Sequence, residues 1–288
     1  MSAVAEAVGI ARPHLCAMRH CPAPRPRGRP PLPDAELVHD IRALVADLPT
    51  YGYRRVHALL RREAEKTGRE APNPKRVYRV MKVHRLLLQR GGERREERRH
   101  DGRVAVDLRY TRWCSDGLEI TCDNGEKVRV AFALDCCDRE AMGHVATTGG
   151  ITAEDVQDLM VATVEHRYGQ VNRVPEPIEW LTDNPVLSEA EGGSCYPARN
   201  TRALARGIGL IPRTTPVSSP QSNGMAEAFV RTLKRDYVRV NPRPDAQSVI
   251  DQLPSWCAHY NEVHPHRALR YQSPREFIAQ ICEALPGL

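Results

Sequence analysis

Three carboxylates are placed where they could act together. Asp116 lies in Arg112-Trp113-Cys114-Ser115-Asp116-Gly117, Asp183 in Leu181-Thr182-Asp183-Asn184, and Glu227 at the end of Ser219-Pro220-Gln221-Ser222-Asn223-Gly224-Met225-Ala226-Glu227. Clustered carboxylates repel one another and persist usefully when divalent cations neutralise them; hard oxygen donors suit Mg²⁺. Two such ions ~3.5–4 Å apart can activate an attacking oxygen and stabilise a leaving one in phosphodiester displacement. Lys234 follows Glu227 by seven residues, which puts both on one helix face two turns apart. Singly, each acid has a plainer reading: Asp116 as a turn residue at a strand start, Asp183 as a helix cap, Glu227 as a solvated surface group. Chemistry requires elements that bring the three together.

Those elements can be read from pattern. Pro220, Ser222, Asn223 and Gly224 form a turn signal, and Met225, Ala228, Phe229, Thr232 and Leu233 then recur at helical spacing. Residues 118–122 alternate like a strand, 123–126 read as a hairpin turn, and 127–135 and 143–148 read as a second and a third strand. A helix over 152–167, a fourth strand over 178–182 ending at Asp183, a helix over 198–207 and a short strand over 208–212 follow. This order is the one expected of an α/β ribonuclease-H-like mixed sheet, in which the first and fourth strands are neighbours. Asp116 is then expected at the start of the first strand and Asp183 at the end of the fourth.

The front of the chain is different. Net charge is +6 over 288 residues. Residues 1–103 hold 23 Lys+Arg against 12 Asp+Glu, so the back half is mildly acidic. Such asymmetry suggests a polyanion-binding module joined to something else. Residues 33–48 carry an apolar stripe of Leu37, Val38, Ile41, Leu44, Val45 and Leu48; 54–66 read as a second helix. Asn73-Pro74 starts a third, which buries Val77, Tyr78 and Met81 and presents Lys75, Arg76, Arg79 and Lys82. Three short helices ending in a basic one fit a helix-turn-helix-like module with the last helix on DNA; a solvated charged face is the other reading. Before it, 1–32 is too Pro-rich to be well structured, and its Arg25, Arg27 and Arg29 resemble an AT-hook core entering a narrow minor groove, or a basic linker.

The expected organisation is a Pro/Arg-rich segment over 1–32, the helical module over 33–88, an Arg-rich linker over 89–103, the catalytic domain over 104–278 and a tail over 279–288. No apolar run approaches the ~18 residues of a membrane span, and the first ten residues lack the basic start of a signal peptide. The nine Cys form no CxxC pair and are expected as reduced thiols; His14, Cys16, His20 and Cys21 fit no common zinc spacing.

These motifs, with Tyr51-Gly52-Tyr53-Arg54-Arg55-Val56 and Tyr260-Asn261-Glu262-Val263-His264-Pro265-His266-Arg267-Ala268-Leu269, together resemble a known family. In this order the sequence resembles the second-frame (OrfB) catalytic part of an insertion-sequence-three family transposase, in the branch typified by insertion sequence two. That family lies within the DDE transposase and retroviral integrase superfamily. The resemblance implies Asp116, Asp183 and Glu227 as a triad holding two Mg²⁺ ions, with Mn²⁺ a possible substitute. It implies Lys234 as a contact to DNA ends, with Asn223 and Arg231 of the same stretch grouped with it. It also implies element-end and target DNA as substrates, a homo-oligomer on paired ends, and an upstream OrfA-type helix-turn-helix partner, joined by frameshifting. No membrane partner is implied, and the location is the bacterial cytoplasm, at the nucleoid when DNA is bound. The stretch 260–269 reads either as a contact to DNA or a partner subunit, or as a C-terminal helix docking on the sheet.

One departure stands out. The span from Asp183 to Glu227 is eight residues longer than the family's usual spacing, and the eight residues 185–192 interrupt the expected Asp-Asn-Gly-Ser run. Loops tolerate insertion at little entropic cost, but ~1 Å of misplacement at a catalytic group can cost ~100-fold in rate. The alternative to an active transposase is therefore a decayed copy that only binds DNA. A ribonuclease H acting on hybrids fits the fold but not the stretch from Ser219 to Glu227.

Overall fold

The computed structural model describes residues 2–19, 33–89, 105–182, 199–214 and 224–284. Met1–Glu36 and Leu37–Leu288 form two compact units. The first contains helices α1 (Ser2–Val8) and α2 (Arg12–Arg19), where the composition predicted little structure; both precede the Pro-rich run that prompted that expectation. Arg25, Arg27 and Arg29 lie outside the described residues.

In the second unit α3 (Ala35–Asp47), α4 (Tyr53–Lys66) and α5 (Pro74–Val83) share a core of Leu37, Ile41, Val56, Leu60, Val77 and Met81. Helix α5 starts as expected: the Asn73 side chain accepts a hydrogen bond from the Lys75 amide at 2.9 Å, and Pro74 fits the first turn. One core assignment changes. Val80 is buried, one turn from Val77, whereas Tyr78 is exposed and meets Tyr53 edge-to-face at 5.1 Å.

Strands β1 (Arg112–Thr121), β2 (Lys127–Asp135), β3 (Ala141–Thr147), β4 (Ile178–Thr182) and β5 (Leu210–Thr214) form one sheet in the order β3-β2-β1-β4-β5. β1, β2 and β3 are antiparallel, and β4 and β5 run parallel to β1. This is the ribonuclease-H-like arrangement. Helix α6 (Ala153–Tyr168) covers one face with α7 (Arg199–Gly207) through Trp113, Leu159, Met160, Trp180 and Leu210. Helices α8 (Gly224–Leu233) and α9 (Ala246–Glu262) cover the other through Leu118, Phe132, Phe229, Leu253 and Tyr260. Helix α10 (Pro274–Ala284) ends the described chain and runs past the boundary placed at 278.

Strand boundaries differ from expectation, and those of β1 and β5 have clear causes. β1 begins at Arg112 rather than 118, so Asp116 lies inside the strand. Trp113, Cys114 and Ser115 are all buried because this half of a central strand is covered on both faces, which erases the alternation that marks a strand. β5 begins at Leu210 rather than 208. Gly209 has φ +91°, and a Cβ there would meet Val174 Cγ2 at 2.6 Å; that glycine makes the turn into the strand. Helix α6 opens with a Thr152–Asp155 capping box, worth about 1 kcal/mol. No described helix is long and apolar enough to cross a membrane, and Cys114, Cys122 and Cys136 are buried free thiols.

Candidate active site

β1 is the central strand, paired with β2 from Trp113 to Thr121 and with β4 from Arg112 to Cys114, so its backbone is held on both sides at its start and by β2 at Asp116. Side chains alternate along it, and Asp116 falls on the same face as Cys114 and Leu118. Both of these pack in one cluster with Met225, Ala226, Phe229 and Leu233 of α8. Asp116 is half-buried, and its Oδ1 accepts a hydrogen bond from the Gly117 amide at 2.8 Å.

Glu227 lies in the first turn of α8 and is exposed. Its helix is pinned by Phe229, whose ring meets Phe132 of β2 at 4.6 Å and Tyr260 of α9 at 4.8 Å. Burying such a ring contributes ~1.5–3 kcal/mol. The positive end of a helix dipole favours a carboxylate in the first turn. Asp116 and Glu227 are therefore on the same side of the sheet. Arg231, further along α8, and Lys234, the first residue after it, are exposed. Glu119 of β1 is held below the usual carboxylate range, first by the hydrogen bond from Lys127, with Arg129 and Lys234 adding smaller effects.

Asp183 and Asn223 lie outside the described residues. Asp183 directly follows Thr182, the last residue of β4. The parallel register pairs Cys114 with Leu181, and in sequence Asp116 and Asp183 each stand two residues beyond that pair. On the helical module Lys75, Arg79 and Lys82 are exposed and Arg76 is half-buried, all on the side of α5 away from Val77 and Met81.

The stretch 260–269 makes its contacts inside the protein. The Asn261 side chain donates to the Ala141 carbonyl at 2.9 Å and accepts from the Ala141 amide at 2.8 Å, holding the end of β3. His264 is buried and shares a hydrogen bond of 2.8 Å with the Tyr51 hydroxyl. The docking reading of this stretch is the one the contacts match.

The pattern gave no sign of a buried charge cluster at the β2–β3 turn. Arg167 reaches Asp138 at 2.9 Å and Glu140 at 3.0 Å, and Asp135 accepts from the Trp113 indole at 3.1 Å. Burial, with Asp138 beside it, pushes the Asp135 carboxyl up to about 6. These residues fix the turn between two strands; sequence spacing carries no signal of their shared partner.

Residues 209–274 match the family described as integrase core domain, a span that includes Glu227, and residues 32–94 match an HTH-like domain family. Over 249 residues the chain is 53% identical to transposase InsD for insertion element IS2A/D/F/H/I/K of Escherichia coli, covering 86% of this chain and 79% of that one. InsD for insertion element IS2-9 of Escherichia coli strain K12 is likewise 53% identical, over 86% of this chain and 78% of its own. Among solved structures, a simian T-cell lymphotropic virus intasome in complex with PP2A regulatory subunit B56 gamma aligns with TM-score 0.49 and 13% identity, over 83% of this chain and 73% of that one.

Proposed function

The chain belongs to the insertion-sequence-three family of DNA transposases, polynucleotidyl transferases with a ribonuclease-H-like catalytic domain, and from that premise we propose that Asp116, Asp183 and Glu227 are its catalytic triad. The observation that carries this reading is the placement of Asp116 on the face of β1 that α8 covers, with Glu227 in the first turn of that helix.

The family generally uses divalent metals. Asp116 and Glu227 offer carboxylate oxygens, the hard donors that suit Mg²⁺ or Mn²⁺, and with Asp183 they would hold two ions. Bound ions supply a lowered pKa for an attacking water and stabilisation of the charge on the leaving oxygen. Asp116 contributes rigidity, because its strand is held in the β2 ladder at Asp116 and in the β4 ladder up to Cys114 just before it. Glu227 is oriented by the packing of Phe229 one half-turn further along α8. Lys234 and Arg231 approach phosphates from the same helix, and Lys75, Arg76, Arg79 and Lys82 grip the duplex from α5. Hydrolysis at an element end frees a 3′-hydroxyl, which attacks a second phosphodiester and joins the element to its target. Pairing of two ends calls for a homo-oligomer. An upstream helix-turn-helix partner would supply recognition of the terminal repeats, and the setting is the bacterial cytoplasm.

A second reading rests on residues 185–192, which follow Asn184 and lengthen the span to Glu227. There the chain binds DNA without cutting it. Nicking of labelled element-end DNA with Mg²⁺ separates the two: cutting abolished by Glu227→Gln supports the triad, and salt-sensitive binding without cutting, restored by removing 185–192, supports the second.

A further inference from the structure

Helix α4 of the DNA-binding module is tied to the end of the helix that carries Glu227. After Leu233, residues Lys234–Val238 continue α8 as a π-helical turn. Such turns are rare and often lie at functional sites. This one carries Asp236 into the interior, with its side chain only 1% exposed. The Asp236 carboxylate accepts from Arg55 of α4 at 2.9 Å and from Arg235 at 2.6 Å. Tyr51, one turn before Arg55, bonds His264, whose ring stacks on Tyr260, and Tyr260 packs edge-to-face on Phe229 of α8. Two turns beyond Arg55, Arg62 donates to the Val263 carbonyl at 2.6 Å and the Tyr271 carbonyl at 3.1 Å and pairs with Glu276 at 2.6 Å.

Directional, charge-assisted bonds fix register more tightly than apolar contact, and a buried ion pair is best attested as such a registry device. Surface linkage of two modules needs no buried carboxylate. We propose that Arg55 and Asp236 are positioning residues, setting where along the DNA the catalytic helix α8 lies relative to the DNA-holding helix α5. The proposal rests on the assignment of α5 and α8 to DNA given above.

The test is a register measurement that does not depend on cutting. A photo-cross-linking residue is placed at the exposed Arg231 in the full chain, in the parent background and in Arg55→Gln, Arg55→Lys and Asp236→Asn. Each is bound to labelled element-end DNA, and the cross-linked nucleotides are mapped. In the parent, cross-links concentrate on one nucleotide and its immediate neighbours. In Arg55→Gln and Asp236→Asn they shift or spread to flanking nucleotides, while affinity stays within about threefold because the phosphate contacts remain. Arg55→Lys, which keeps the charge, restores part of the parent pattern. A cross-link map unchanged in Arg55→Gln, with only a lower melting temperature, would overturn the proposal and leave the pair a purely structural one. Absence of any cross-link in the parent removes the assignment of α8 to DNA, and the proposal with it. Arg55 is more exposed than Asp236, so Arg55→Gln keeps the question open to measurement should Asp236→Asn fail to fold.

Discussion

Acid should loosen the C-terminal stretch before it touches the rest. Burial, with the cations Arg139, Arg55 and Arg62 nearby, lowers His266 from its ordinary 6.5 to about 3, against a smaller opposing effect of Asp236. As a residue His266 is only half-buried, but its Nε2 is sealed from water with no partner, so the ring is held neutral by the site of its nitrogen. The folded value is depressed, so the unfolded chain takes up a proton below pH 6.5 that the folded protein refuses. The contribution to stability is present above that value and is lost as pH falls. At pH 5 the loss from His266 alone is about 2 kcal/mol, a figure that holds for any folded value well under 5. His264, buried and also held well below its ordinary value, adds in the same direction. Asp135 opposes them: with its value raised to about 6, it binds a proton in the folded state first and returns about 1 kcal/mol by pH 5. Thermal melting of the parent and of His266→Gln at pH 7 and pH 5 isolates the His266 share, since glutamine does not titrate. The parent's melting temperature should fall further than the variant's, by about 4–8 °C for a chain of this size. Two curves falling in parallel would refute the reasoning.

Phe229→Ala empties the contact between α8, β2 and α9 and should cost about 3–5 kcal/mol, read as a lower denaturation midpoint, with end cleavage lost at temperatures where the chain is still folded. Arg79→Ala and Lys82→Ala should each flatten the dependence of log affinity on log salt by about one unit and leave the melting temperature nearly unchanged; a constant slope would take α5 off the DNA. Deleting residues 185–192 should raise the nicking rate by on the order of 100-fold if the segment misplaces Asp183 by ~1 Å, and an equal rate would show it to be a tolerated loop.

Much of this was legible in the residues. The sheet order followed from a hairpin turn at 123–126 and from the strand–helix alternation after it, because those strands have one covered face or clear turn residues at their ends. Asp116 and Glu227 were singled out as candidates from motif context, and the packing of Cys114 and Leu118 with Phe229 puts their elements on one face. The start of β1 was misplaced because Trp113 through Ser115 are buried on both faces, and β5 was misplaced by the glycine that turns into it. The partnership of Tyr51 with His264 and of Arg55 with Asp236 was invisible for a different reason. Both stretches were recognisable as motifs, but a contact across about 200 residues of chain leaves no local period. Asp236 gave no signal at all, since its burial depends on a π-helical turn that propensity does not mark.

The central claim is that Asp116, Asp183 and Glu227 together cut DNA. Its most direct measurement is nicking and joining of labelled DNA carrying the element's own ends, with Mg²⁺ and with the upstream helix-turn-helix partner supplied, comparing the chain lacking 185–192 with its Asp116→Asn, Asp183→Asn and Glu227→Gln variants. The account predicts cutting by the first protein and none by the three variants, all four binding DNA alike. Cutting that survives any one of the three substitutions would contradict it.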